Sequence, residues 1–313
     1  MAGLTRFAGI SETVRVDGGQ AMSGIRAMVT PEQRLRLQEG PIDLIIAAES
    51  PEKGARERAY RAAAHRFRGL LRELVDELPL LRRQTGDGAP GPKGPVARRM
   101  SGAVEPHGLH NFVTPMAAVA GSVADEILAV MTSVAHLDRA YVNNGGDIAF
   151  HLGVGQRFRI AIRDLQGTEH GRIVVDHGSR ARGIATSGQG GRSHSLGIAD
   201  SVTVIADSAA TADVAATLVA NAVDLPDHPA VRRQPARELS PDSDLGDRLV
   251  VVGIDELQHD EIDSALEHGR AAAEDMLSAG LIESAALLLR GATRIVGRPG
   301  GIPGTEDGME CHV

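Results

Sequence analysis

The stretch Ile184-Ala185-Thr186-Ser187-Gly188-Gln189-Gly190-Gly191-Arg192-Ser193-His194, with its continuation to Asn221, decides how this chain is read. It opens on an apolar pair running into Thr-Ser-Gly, then a polar glycine-rich loop carrying Arg192 and His194. Ser201-Val202-Thr203-Val204-Ile205-Ala206 alternates with period two, the pattern of a half-buried strand. An alanine-rich helix follows, with Ser208 as N-cap and Asp213 near its first turns. Strand, polar loop, strand and helix start within forty residues make a natural place for a site.

The chain has 313 residues, enough for one large domain or two ordinary ones. With five Phe, two Tyr and no Trp, its core must be aliphatic. That scarcity, with a formal net charge of −8, argues against a nucleic-acid partner. The single cysteine, Cys311, excludes an intrachain disulfide and any multi-cysteine metal site. Residues 1–30 lack an apolar core of signal-peptide length and no run of 18 apolar residues occurs, so a cytoplasmic protein without a membrane span is expected.

Working outward, Thr13–Gly19, Gly24–Val29 and Ile42–Ala47 read as strands. Ser50-Pro51-Glu52 begins a helix expected to run to about Leu78, with Phe67, Leu70, Leu71 and Leu74 on one face. The Gly/Pro-rich segment 85–95 is a loop dividing an N-terminal α+β part, 1–84, from the core, 96–296; the two are expected to form one compact unit. A second helix spans Thr114 to about His136. Its Ala117, Ala118, Ala120, Gly121, Ser122 and Ala124 permit close backbone approach, in a monomer core or a homo-oligomer alike.

Asn144-Gly145-Gly146-Asp147 between two short strands is a hairpin turn, or a glycine loop that admits a ligand beside a carboxylate. Arg157–Ile162 and Gly171–Val175 read as strands. Asp224–Asp247 is a proline-bearing connection, Leu249–Ile254 a buried strand, Asp260–Leu277 and Ile282–Leu289 helices, and Arg294–Val296 a last strand. The tail 297–313 is expected to be flexible.

Asp213 and Thr217 lie four apart and share a helix face. Carboxylate and hydroxyl are hard oxygen donors suited to Mg²⁺, although a helix dipole also favours Asp near its start. His194 is either an acid/base or anion contact, or a solvated loop side chain. Gly188-Gln189-Gly190-Gly191 lacks the strand–turn–helix context of a dinucleotide fingerprint. The residues alone give an α+β protein with a candidate phosphate or metal pocket.

Four segments in order resemble the ApbE-like superfamily of FAD:protein FMN transferases, and more closely its shorter branch. Ala120-Gly121-Ser122-Val123-Ala124-Asp125 resembles the family's Lys-Gly-x-x-x-Asp, and Asn144-Gly145-Gly146-Asp147 its Gly-Gly-Asp turn. Ile184-Ala185-Thr186-Ser187-Gly188 is similar to the Thr-Ser-Gly strand end, and Ala212–Thr217 to the Ala-Asp-x-x-x-Thr helix start. The family's Lys falls at Ala120, and its His-x-x-Asp-Pro-x-x-Gly segment has no counterpart after Gly188.

The resemblance implies a T-fold-like α+β architecture with antiparallel sheet and packed helices. It implies FAD or FMN in a cleft, expected between Asn144, Gly145, Gly146, Asp147, Thr186, Ser187, Gly188 and Arg192; His194, on the loop itself, is the candidate catalytic acid/base. Mg²⁺ would be held by Asp213, Thr217 and a carbonyl near Val119, neutralising a pyrophosphate and assisting attack by a Ser/Thr hydroxyl of an acceptor protein. A binding or accessory protein on the same fold, or an enzyme on another substrate, is the alternative.

Overall fold

The computed structural model describes residues 24–312 except 87, 89, 109, 110, 164–168, 192 and 298–308. The expected strand Thr13–Gly19 lies outside the described residues. Strands β1 (Arg26–Val29), β2 (Leu35–Glu39) and β3 (Ile42–Glu49) form an antiparallel meander. Leu35, Leu37, Leu44 and Ile46 alternate onto its buried face.

The helix expected from Ser50 to Leu78 is broken into α1 (Ala55–Phe67), α2 (Leu70–Asp76) and α3 (Leu78–Leu81). Ser50 Oγ accepts the Glu52 N–H, but the helix begins only after Gly54, at φ 79°. Gly69, at φ 80°, ends the first piece, a conformation that glycine adopts without the Cβ penalty. The Gly/Pro segment ends at α4 (Pro95–Val104), with proline at its first position.

A 3₁₀ turn, Pro115–Ala118, leads into α5 (Val119–Val134). Then come β4 (Arg139–Asn144), β5 (Asp147–Leu152), β6 (Arg157–Arg163), β7 (Glu169–Asp176), β8 (Gly183–Ser187), β9 (Ser201–Ala206) and α6 (Ala209–Ala222). The proline-bearing connection carries β10 (Val231–Pro235) and α7 (Ala236–Leu239) before β11 (Leu249–Ile254). The chain continues through α8 (His259–Ser278), β12 (Ser284–Leu289), β13 (Ala292–Gly297) and β14 (Met309–His312).

Nine strands form one antiparallel sheet in the order β1-β2-β3-β4-β5-β8-β9-β12-β13. A second sheet, β14-β6-β7, has β14 parallel to β6, within the tail read from sequence as lacking regular structure. The α+β class is thus met by an antiparallel sheet with helices packed on it.

Two readings are corrected. Ile282–Leu289, expected as helix, contains strand β12, which pairs with both β9 and β13. Alanine and leucine favour helix, but an inner position in the sheet overrides that preference. Leu249–Ile254 is a strand as expected but only half-buried: among the described residues it pairs with β10 alone, Val250 and Val251 are buried, and Leu249 and Val252 are 53% and 45% exposed.

Helices α5, α6 and α8 cover one face of the large sheet, α6 lying on β8 and β9. On the other face Phe158, Ile160 and Val175 of the small sheet meet Tyr141, Ile148, Phe150, Ile184 and Ile205. Phe158 stands edge-on to Phe150 and Tyr141, with centroids 5.6 and 6.2 Å away. At the α5–α6 crossing a Cβ on Gly121 would overlap the Ala209 carbonyl, which is why a glycine stands there. Gly183 makes the same allowance in the sheet beneath Ser208 and Ala209.

Candidate functional site

Helices α5 and α6 hold each other by their N-termini. Asp213, on the second turn of α6, accepts the Gly121 N–H at 3.0 Å and the Ala120 N–H, two donors in the first turn of α5. Asp125, on the second turn of α5, accepts the Ala209 and Ala210 N–H groups at 3.1 and 2.9 Å, at the start of α6. The first turn of a helix has donors without intrahelical partners, and a carboxylate there also meets the positive end of the dipole. Ser208 completes the α6 cap by accepting the Thr211 N–H, as expected from sequence.

The β4–β5 hairpin delivers its turn to the same place. Gly145 and Gly146 take φ 69° and 114°, the positive values a two-residue hairpin loop demands. Asn143 closes the turn by accepting the Gly146 N–H at 2.8 Å. Asn144 donates its side-chain amide to the Ala120 carbonyl at 3.1 Å, so the Ala120–Gly121 backbone is gripped by Asn144 on one side and Asp213 on the other. Asp147 faces Asn144 in the ladder and shares the helical face with Ala149.

These neighbours set the electrostatics. Burial, then the charge of Asp147, push the Asp213 carboxyl well above the usual carboxylate range. Burial pushes Asp125 up to about 6, against the Ala210 and Ala209 N–H groups and the Arg99 charge. Thr217 lies one turn beyond Asp213 on the same half-buried stripe of α6. Asp213 and Thr217 therefore offer hard oxygen donors beside a second carboxylate, a set that fits a small divalent cation. Among the described residues, no group of three or more His, Cys, Asp or Glu side chains forms a metal cage.

The remaining sequence candidates divide between the two faces of the sheet. Ile184 belongs to the core under the small sheet and Ala185 to the core under the helices. Alternation therefore turns Thr186 away from α6 and Ser187 toward it. Thr186 instead shares a 2.8 Å hydrogen bond with Thr203, itself only 5% exposed.

Gly188, at φ 136°, is pressed against the Ala199 and Asp200 carbonyls, where a Cβ would not fit. His194 is exposed on the following loop, and Arg192 lies outside the described residues. The structure thus brings together Asn144, Asp147, Asp213 and Thr217, and it leaves Thr186 on the other face.

Asp125 closes the segment that resembles Lys-Gly-x-x-x-Asp, but its partner, the start of α6, is not given by that resemblance. Its spacing four residues after Gly121 was the available signal, since it puts both on the side facing α6. Two surface cavities, of about 440 and 400 Å³, lie elsewhere: one with Arg58, His136 and His151 at the end of α5, one with Asp255, Glu256 and Arg290. Pro115–Val134 is long and apolar enough to cross a bilayer, and half of it is buried inside the protein.

Residues 26–295 match the family model described as AbpE bacteria. The chain belongs to this family. The AbpE bacteria match takes in both carboxylate caps, the hairpin turn and all nine strands of the large sheet except the end of β13. A UPF0280 protein of Methanopyrus kandleri is 36% identical over 174 residues, 54% of this chain and 65% of that protein. A UPF0280 protein of Methanothermobacter thermautotrophicus is 40% identical over 121 residues, 37% of this chain and 44% of that protein. The chain thus aligns with less than two thirds of the length of either relative.

Among solved structures, the flavin transferase ApbE from Vibrio cholerae matches at 14% identity and TM-score 0.38, covering 87% of this chain and 97% of that one. The ApbE protein from Thermotoga maritima matches at 14% and 0.39, covering 83% and 96%.

Proposed function

We propose that this protein binds a phosphate-bearing flavin nucleotide, FAD or FMN, through a divalent cation at the α5–α6 junction. The observation that carries the reading is the Asp213 carboxylate, half-buried beside Asp147 and within reach of two α5 amides. Asp213 and Thr217 would hold Mg²⁺, with a carbonyl at the start of α5. When bound, the metal supplies positive charge to a pyrophosphate and activates it toward a hydroxyl nucleophile.

The chain's own groups do the rest. Asn144 and Asp213 fix the Ala120–Gly121 backbone, Asp125 fixes the α6 turn that carries Asp213, and the Gly145-Gly146 turn lets a ligand approach the main chain. With FAD the corresponding reaction is attack of an acceptor-protein Ser/Thr hydroxyl on the FMN-side phosphorus, breaking the pyrophosphate P–O bond and releasing AMP, with exposed His194 on the loop after β8 as the candidate acceptor of the hydroxyl proton. Flavin fluorescence titrated with protein tests the binding step. Quenching in Mg²⁺ that disappears with chelator supports the proposal, and equal quenching in both contradicts it.

A second reading has its own observation. Ala120 stands where the transferases carry Lys and offers the site only backbone. A protein that binds the flavin nucleotide without transferring it follows from that substitution. Incubation with FAD, Mg²⁺ and candidate acceptors separates the two: covalent flavin on the acceptor supports transfer, and tight binding without it supports the accessory role.

A further inference from the structure

Between α6 and α8 the chain leaves the large sheet and makes an excursion of its own. Among the described residues, strands β10 and β11 pair only with each other, with a register shift at Arg232/Arg233, and are joined through α7 and the Ser240–Arg248 loop. Leu239, Leu249 and Val252 are 43–53% exposed. Val231, Ala236, Val250 and Val251 are buried beneath it, but a two-stranded ribbon has little stability of its own and opens locally unless it is tethered.

It is tethered at two places. On one side Val251 donates its N–H to the Ser195 carbonyl at 3.0 Å. There Arg233 donates to the Leu196 carbonyl at 2.6 Å and pairs with Asp224 at 2.5 Å, both side chains of the pair more than four-fifths buried. Leu196 in turn donates its N–H to Asn221 at the end of α6. On the other side the Thr114 hydroxyl donates to Asp244, and the Arg248 guanidinium lies 3.4 Å above the Phe112 ring. Thr114 opens the 3₁₀ turn that feeds the N-terminus of α5.

The two anchorages therefore bracket the half-buried stripe Asp213, Thr217 and Asn221 of α6. One stands before the α5 turn that Asp213 caps, the other at Asn221. We infer that residues 231–254 form a strap across this stripe, hinged at Arg233 and latched by Thr114–Asp244, which governs entry of an anionic nucleotide. This builds on the binding site proposed above. The buried ion pair and backbone bond make the Arg233 side the fixed one. The latch rests on one hydroxyl–carboxylate bond and one cation over a ring, so it releases first.

The test uses the full chain with Cys311→Ser, which removes its only thiol, and Thr217→Cys as a reporter for a small thiol reagent. Adding Thr114→Val should raise the labelling rate about tenfold. In Thr114→Val alone, hydrogen exchange should quicken across residues 236–250 and stay unchanged in α5 and α6. An unchanged labelling rate overturns the strap, as does exchange that quickens equally in α5 and α6. FAD with Mg²⁺ is the nucleotide probe, expected to associate about tenfold faster with Thr114→Val. A wild-type chain that fails to bind FAD overturns the site reading, while labelling and exchange still decide the strap.

Discussion

Asp125 and Asp213 cap each other's helices: the carboxylate on α5 takes the first amides of α6, and the carboxylate on α6 takes the first amides of α5. The exchange joins segments some 90 residues apart and fixes the crossing at which Gly121 lets the two backbones meet. It also puts Asp213 beside the hairpin turn that carries Asp147. Structure and candidate site share the same bonds.

Asp125 should give stability a pH dependence. Its folded value of about 6 lies above the ordinary 3.8, so the folded chain keeps a proton that the unfolded chain releases. The resulting stability is complete below about pH 4 and is lost as pH rises through about 6. The two-unit difference corresponds to roughly 3 kcal/mol. Urea unfolding at pH 4.5 and 7 should show about 2 kcal/mol of that loss in the wild type, and Asp125→Asn should shrink the difference, leaving the part that the raised Asp213 carboxyl contributes with the same sign. An identical slope in both proteins would refute the assignment.

Two glycines on neighbouring helices should respond in opposite senses. Gly121→Ala drives a methyl into the Ala209 carbonyl and should cost about 1–3 kcal/mol by forcing α5 and α6 apart. Gly102 in α4 has no atom within 4 Å of a new Cβ, so Gly102→Ala should stabilise by about 0.5–1 kcal/mol through helix propensity. Thermal unfolding midpoints moving in the same direction would contradict the packing described at the crossing.

The Thr186–Thr203 pair should behave as a local structural bond. Thr186→Val strands the buried Thr203 hydroxyl and should cost about 1–3 kcal/mol, and adding Thr203→Val should recover much of that. Because Thr186 faces away from α6, its substitution should leave metal-dependent nucleotide binding within twofold. A tenfold loss of binding would put Thr186 back into the pocket.

Local chemistry was legible in the sequence, and long-range partnership was not. Paired glycines after Asn144 announced a hairpin, and Ser208 before an alanine-rich run announced the start of α6; each is decided within a few residues. Gly69 splits the first helical region because the chain turns there, although the apolar spacing of Phe67, Leu70 and Leu74 continues across it. Strand β12 was read as helix because Ser284, Ala285, Leu287 and Leu289 are buried and Ala286 and Leu288 are partly covered, which erases the alternation that marks a strand.

At the site, Asp213 and Thr217 announced themselves by helical spacing. The approach of Asp147 to Asp213 depends on the register of β5 against β8, Ile148 opposite Ile184, which no local pattern encodes. Thr186 lies on the face of the sheet away from α6, bonded to Thr203. Counting parity from Ile184 sends it to that face.

The central claim is that nucleotide binding runs through a cation held at Asp213. Calorimetric titration of FAD into wild-type and Asp213→Asn protein, each with and without Mg²⁺, tests it most directly. The amide side chain keeps an acceptor for the α5 cap and removes the charge, so folding is checked beside binding by the thermal midpoint. The account predicts Mg²⁺-dependent heat in the wild type and at least a tenfold weaker affinity in a folded Asp213→Asn. Binding that ignores Mg²⁺, or that survives undiminished in Asp213→Asn, would contradict it.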